Sequence, residues 1–277
     1  MAPGIARLGD NRVSRRRRRN HRCRRWHRSR VGTAAGAARR LVLSGRRQER
    51  LEAVRDEVAA AGARSEALMV APCDVTDTEQ VRMWAASILQ RTGAIDVLIN
   101  NAGRGAYGPF HEVAVSSHDA VIDTDLRGII HTSYALLPAM LERGRGQLVF
   151  VSSVLGELPA PDHAVYGATK AAINVFAESL AHELHGQGIG ITVVAPGLVR
   201  SEFAATSGTP LARFARVPSK SAAAAAADVL RAMERGQALV VSDWLSAVAI
   251  RVRRMTPGLF GRIFRRLFAR IRRTPDD

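Results

Sequence analysis

Ile95-Asp96-Val97-Leu98-Ile99-Asn100-Asn101-Ala102-Gly103 reads as a short apolar strand that runs directly into Asn-Asn-Ala-Gly. Such an ending suits a ligand that must approach the backbone: Ala and Gly allow close contact, and Asn offers hydrogen bonds in the loop. Two further segments repeat the pattern. Gln147-Leu148-Val149-Phe150-Val151-Ser152-Ser153 delivers a serine at its carboxyl end, and Gly190-Ile191-Thr192-Val193-Val194-Ala195-Pro196-Gly197 ends in Pro-Gly. Helix-length segments separate the three. Apolar strands with polar residues gathered at the same end describe a parallel sheet between helices, with its site along one edge. An α/β fold with one doubly wound parallel sheet, in a single domain, is expected.

Downstream of the serine, Tyr166-Gly167-Ala168-Thr169-Lys170 places a phenol and an ammonium four residues apart. On a helix they share one face, about 6 Å apart at Cβ. A neighbouring cation favours phenolate, so Lys170 is expected to draw the Tyr166 pKa below its usual ~10. That yields a proton donor and acceptor usable near neutral pH, with the Ser153 hydroxyl to hold a reacting oxygen. Taken alone, the pair fits a solvated tyrosine and lysine on an amphipathic helix better than a site; the three strands beside it reverse that.

From about Leu41 to Trp244 the chain resembles the short-chain dehydrogenase/reductase family. The resemblance rests on Leu-Val-Leu-Ser-Gly-Arg at 41–46, Cys-Asp-Val at 73–75, Asn-Asn-Ala-Gly at 100–103, Ser-Ser ending at Ser153, Tyr-Gly-Ala-Thr-Lys at 166–170 and Pro-Gly-Leu-Val-Arg-Ser at 196–201. Each is weak alone, and six in register are specific. The resemblance implies a Rossmann-like fold and NAD(P)-dependent interconversion of an alcohol and a carbonyl, the cofactor carrying the hydride. Tyr166 would be the acid/base, Lys170 would bind the nicotinamide ribose, and Ser153 would hydrogen-bond the substrate oxygen. Ser44, Arg46, Asp74, Val75, Asn101, Ala102, Gly103, Pro196, Gly197 and Val199 would join Tyr166 and Lys170 in holding the cofactor. Ser44-Gly45-Arg46-Arg47 offers no acid for a ribose 2′-hydroxyl, whereas a guanidinium suits a 2′-phosphate, so NADP is expected before NAD. The segment Ser201–Ser221, with Phe203, Leu211, Phe214 and Val217, falls where the family builds its substrate lid, and suits a small or lipid-like apolar carbonyl or alcohol. A homo-oligomer is expected.

The chain departs from the family's pattern at two places. Twenty-eight residues before Ser153, where the family has an asparagine at a helix kink, stands Asp125. Aspartate keeps the acceptor oxygens, loses the amide donors and adds a charge close to Lys170. Altered pH dependence is expected from it rather than a dead site. The larger departure is the start. The family's opening strand and Thr-Gly-x-x-x-Gly-x-Gly turn, which seats a pyrophosphate on a helix N-terminus, have no counterpart in residues 1–40. Without that central strand, two neighbours are expected to have unpaired edges. Read one nucleotide later, the codons of His21–Ser29 permit Thr-Gly-Ala-x-x-Gly-Ile-Gly, with only the Trp26 step forced, as though the arm were the out-of-frame image of the missing turn. The expected activity is a hydride-transferring oxidoreductase; the alternatives are a catalytically impaired relative that cannot bind cofactor, or a basic protein that binds nucleic acid or a membrane surface.

Charge divides the chain in the same way. Residues 1–40 carry fourteen arginines and one acid, net +13, and residues 250–277 carry nine arginines and two aspartates, net +7. The whole chain is +16, which leaves −4 for residues 41–249. Three regions are therefore expected: an arginine-rich arm at 1–40, the sheet domain at 41–249, and a basic amphipathic helix within 250–277. The arm invites a phosphate partner, yet no nucleic-acid-binding fold or stacking platform accompanies it, which argues against nucleic acid as a functional partner. In the tail, Leu259, Phe260, Ile263, Phe264, Leu267, Phe268 and Ile271 recur at helical spacing among arginines. Such a helix packs on the body, on a partner subunit, or on an anionic membrane surface. Two cysteines, no apolar leader and no eighteen-residue apolar run fit a reduced, cytoplasmic protein. His111, His118, His131, His163, His182 and His185 show no ligand spacing, so no metal is expected.

Overall fold

The computed structural model describes residues 40–210 and 217–272. The arginine-rich arm, with its out-of-frame motif, lies outside them, as do Leu211 and Phe214 of the expected lid. Strand β1 (Leu41–Leu43) leads through helix α1 (Gln48–Ala60) to β2 (Leu68–Val70), and helix α2 (Thr78–Thr92) leads to β3 (Val97–Asn100). Helix α3 (Val115–Ile122) passes through one π-helical turn, Asp123–Arg127, into α4 (Gly128–Glu142). Then follow β4 (Gly146–Val151), α5 (Ala164–Glu183), β5 (Ile189–Ala195), β6 (Leu198–Arg200), α6 (Glu202–Thr206) and β7 (Ser219–Ser221). The chain ends with α7 (Ala222–Arg235), β8 (Leu239–Val241), α8 (Trp244–Met255) and α9 (Pro257–Arg272). Residue 250, the expected start of the tail, falls inside α8, and the amphipathic segment forms a helix of its own.

All strand pairings among the described residues are parallel, as strands joined through helices must be. The order β3-β4-β5-β8 forms a four-stranded sheet, while β1-β2 and β6-β7 form separate pairs. A Rossmann-like fold is what the sequence led one to expect, and so is its interruption. Among the described residues β1 pairs only with β2, and β3 only with β4.

The break shows in burial. One face of the sheet, carrying Leu98, Leu148, Phe150 and Val193, packs against Ala85 of α2, Ile129, Leu136 and Met140 of α4, and Ile173 and Ala177 of α5. On the other face α7 covers β4 and β5, where Val149 and Thr192 are fully buried and the Gln147 side-chain amide donates to Thr192 Oγ1 and to the Met233 carbonyl. It does not reach β3. Val97 and Ile99, whose side chains alternate with buried Leu98 and Asn100, are 37% and 44% exposed, and Leu41 on β1 is 41% exposed. A β-branched apolar strand sealed on one face and open on the other is waiting for a further layer.

Candidate active site

The four proposed catalytic side chains come from three elements and meet beside the carboxyl ends of β3 and β4. Tyr166 and Lys170 lie one turn apart on the buried face of α5, continued by Ile173 and Ala177. Ser153 follows β4 in extended backbone, and its Oγ accepts from the Leu155 amide, capping a short turn over Val154–Gly156. Gly156 is required here: a Cβ would lie 2.8 Å from the Lys170 carbonyl carbon, so this turn rests directly on the helix that carries Tyr166 and Lys170. Behind it Ser152 Oγ donates to the Lys170 carbonyl.

Asp125 reaches the cluster through the π-helical turn, whose extra residue swings its side chain inward. It is wholly buried, its Oδ1 accepts from the Arg104 amide at 2.7 Å, and its Oδ2 lies 3.0 Å from Lys170 Nζ, off the hydrogen-bonding directions. The contact is thus held by charge. Lys170 also donates to the Val151 carbonyl at 3.2 Å and sits 5.5 Å from the centre of the Tyr166 ring.

This geometry corrects one expectation. Lys170 does not draw the phenol below its usual value; burial pushes the Tyr166 pKa up, the Asp125 charge pushes it further, and a hydrogen bond with Ser153 opposes them. The ammonium is balanced by Asp125 before it can act on the phenol. Burial likewise raises the Asp125 carboxyl, against the pull of Lys170 and the Arg104 amide.

The remaining predicted residues fall into two groups. Asn101, Ala102 and Gly103 follow β3, and a Cβ on Gly103 would come 3.0 Å from Asp125 Oδ2, so this glycine lets the loop close on the site. Pro196 accepts from the Val154 amide, Gly197 leaves room for the Asp243 carboxylate, where a Cβ would lie 2.6 Å away, and Val199 pairs with Lys220 on β7. The second group lies at β1 and β2. Ser44 Oγ accepts from the Trp84 indole, Arg46 stands 3.9 Å from Asp74, and Val75 packs against the start of α4, where a Cβ on Gly128 would meet it at 2.6 Å. The first group sits on the four-stranded sheet and the β6-β7 pair, the second on the β1-β2 pair, with no ladder between them among the described residues.

Several contributors escaped the sequence reading. Asn100 binds Ser133 and Thr132 beneath the site, tying β3 to α4; it is a structural member of Asn-Asn-Ala-Gly. The Tyr166 ring lies 5.7 Å from Phe203, which the sequence reading had named, and 6.5 Å from His163, and His163 is 5.1 Å from Tyr107. Burial lowers the His163 pKa, so the wall beside the phenol is aromatic and mostly uncharged. Glu202 on α6 pairs with Arg47 at 3.5 Å and with Arg50, tying α6 to the start of α1. A cavity of about 590 Å³ lies behind the site, between Leu155 and Pro159, the Ala164, Gly167 and Ala168 face of α5, and Phe260 and Phe264 of α9. Tyr166 and Lys170 do not line it. No group of His, Cys, Asp or Glu suited to a metal occurs among the described residues, and no described helix is long and apolar enough to cross a membrane.

A nicotinamide dinucleotide meets half of a fitting site here. The strand ends offer close backbone approach at Gly103, and Asp125 Oδ2 is a buried acceptor 3.0 Å from the lysine that would face the ribose. No glycine turn for the pyrophosphate occurs among the described residues.

The short chain dehydrogenase family model matches residues 31–211. The NADP-dependent 3-hydroxy acid dehydrogenase of Salmonella typhi is 37% identical over 161 residues, 58% of this chain and 62% of that one; the chain thus spans under two thirds of that relative's length. An uncharacterized oxidoreductase of Myxococcus xanthus is 35% identical over 230 residues, covering 82% of this chain and 87% of its own. Among solved structures, a short chain dehydrogenase/reductase from Burkholderia phymatum in complex with NAD aligns with a TM-score of 0.72 at 25% identity, over 79% of this chain and 85% of that one. On the match over residues 31–211, the chain belongs to the short chain dehydrogenase family, an oxidoreductase family of Rossmann-like fold.

Proposed function

We propose that this chain carries the catalytic half of an NADP(H)-dependent oxidoreductase that interconverts a small or lipid-like apolar carbonyl and its alcohol. The observation that carries the reading is the buried cluster of Ser153, Tyr166, Lys170 and Asp125 at the carboxyl edge of a parallel sheet. Ser153 positions the substrate oxygen, Tyr166 passes a proton to or from it, and Lys170 with Asp125 sets the charge around the phenol. The bound cofactor would supply or accept the hydride. Phe203, Tyr107 and His163 beside the phenol favour an apolar substrate. The direct test is NADPH oxidation against a panel of aldehydes, ketones and 3-oxo acids. No carbonyl-dependent oxidation by a protein that binds NADPH would overturn the reading.

Arg46 supports NADP over NAD. It follows β1 with no acid adjacent to it in the sequence, is 61% exposed, and is held by Asp74 only at 3.9 Å, so the guanidinium can turn to a 2′-phosphate. Arg46→Asp in a protein with a complete cofactor site is expected to shift the NADPH/NADH ratio of kcat/KM toward NADH by at least about tenfold, ~1.4 kcal/mol. A smaller change removes Arg46 as the phosphate reader.

A second reading, a relative impaired in cofactor binding, is favoured by the split between β1 and β3 and the absence of a glycine turn from the sequence. The two agree about the catalytic cluster and differ about residues 1–40. For assembly we propose a homo-oligomer, supported by Tyr134 on α4 and Val175 on α5, which are 81% and 65% exposed. A monomer in sedimentation velocity would remove that part.

A further inference from the structure

Helices α8 and α9 present an apolar surface that the rest of the described chain does not cover. On α8, Trp244, Val248, Val252 and Met255 are 74%, 52%, 45% and 77% exposed. Their spacing confines them to an arc of about 80°. Four residues beyond Met255 the pattern continues on α9, where Leu259, Ile263 and Leu267 are 52%, 58% and 50% exposed.

Packing on the body accounts for only half of the apolar face of α9. Phe260 and Phe264 stack on each other with centroids 5.0 Å apart and wall the cavity against α5. On α8, Arg253 donates to the Glu157 carbonyl and Arg254 pairs with the Glu157 carboxylate at 3.0 Å, which secures the two helices to the loop after Ser153. The adjoining Leu259, Ile263 and Leu267 stripe faces outward from this anchored position.

Charge identifies the occupant. Residues 244–272 contain eight arginines and no acid, and Arg251, Arg262, Arg265 and Arg266 are exposed beside the stripes. A second copy docking through this surface would oppose two acid-free, arginine-rich faces. A nucleic acid would satisfy the arginines and leave Trp244, Val248 and Ile263 in water. An anionic bilayer satisfies both: the apolar stripe enters the boundary between headgroups and acyl chains, and the arginines meet the lipid phosphates. We infer that α8 and α9 form an interfacial surface that holds this protein on an anionic membrane, without spanning it.

Flotation of the full chain with vesicles tests this. The chain is expected to float with phosphatidylcholine vesicles that contain phosphatidylglycerol and to remain below with phosphatidylcholine alone. The combined variant Leu259→Ser, Ile263→Ser and Leu267→Ser removes only half-exposed side chains and is expected to reduce the floated fraction about tenfold at unchanged Tm. The arginine-rich arm remains in this variant, so undiminished flotation would mean that the arm alone holds lipid and would overturn the inference. Equal flotation with neutral vesicles, or a dimer in solution that the variant abolishes, would overturn it too. Should the variant fail to fold, the wild-type chain decides: brominated lipid is expected to quench it more than Trp244→Phe, and equal quenching refutes the surface.

Discussion

Replacing residues 14–38 with a Val-Val-Val-Val-Ile-Thr-Gly-Ala-Ala-Gly-Gly-Ile-Gly strand and turn, followed by a helix, is expected to raise affinity for NADPH about 100-fold or more, ~2.7 kcal/mol. The physical basis is local. A pyrophosphate is held by backbone amides at a helix N-terminus, approached through glycines that leave no Cβ in the way. Nothing in the written residues 1–40 supplies that cradle, whereas Arg46, Asp74 and Gly103 stand ready at the strand ends. The same graft is expected to raise Tm without any ligand. A strand between β1 and β3 would pair both edges that are open among the described residues, and the helix after it would cover Val97, Ile99 and Leu41, now 37%, 44% and 41% exposed. Burying each is worth about 1–2 kcal/mol. The two readouts separate the causes. A higher Tm without tighter NADPH binding would mean that the sheet was completed but the turn is not the missing element. Tight binding by the unmodified chain, seen by fluorescence titration, would sink the argument altogether.

The fold was legible because its central strands, β4 and β5, are buried on both faces. Leu148-Val149-Phe150-Val151 and Ile191-Thr192-Val193-Val194 allow little else, and both pair in parallel where expected. The interruption was legible for the converse reason: no apolar run precedes Leu41, and among the described residues β1 and β3 each pair with one neighbour alone. What was not legible depends on side chains that meet only after folding. Spacing puts Tyr166 and Lys170 on one face, but nothing in it says that Asp125 will arrive through a π-helical turn 3.0 Å from the ammonium. The Lys170 charge was therefore assigned to the phenol, when burial with an opposing carboxylate decides the matter. Likewise Asn100 carries the same letters as its neighbour Asn101, and only its burial against Thr132 and Ser133 marks it as structural. The tail gave half its answer, since heptad-like spacing places Phe260 and Leu259 on one apolar face without saying which is turned inward.

In the protein with its cofactor site completed, Tyr166→Phe is expected to reduce turnover roughly a thousandfold while leaving NADPH affinity nearly unchanged, since it removes one transferable proton. Ser153→Ala should also lower turnover and spare the cofactor. Lys170→Ala should damage both, for a reason visible in the structure. It strands the Asp125 carboxylate, fully buried with one amide partner, and an unpaired buried charge costs about 3–5 kcal/mol. Lys170→Ala combined with Asp125→Asn should recover much of that stability without recovering turnover, which separates the structural cost from the chemical one. Asp125→Asn alone tests the charge balance. The Asp125 carboxylate raises the Tyr166 pKa and neutralises Lys170; the amide removes the first effect and releases the second. The folded phenol then ionises at lower pH. Alcohol oxidation needs phenolate as base, so its rising limb in kcat/KM against pH should move to lower pH, with NADPH affinity little changed. A limb that stays in place, or moves to higher pH, would mean that Asp125 does not set the phenol's charge. Equal loss of NADPH affinity in Tyr166→Phe and Lys170→Ala would mean that α5 itself is disturbed, and the division of roles between proton transfer and ribose binding would fail.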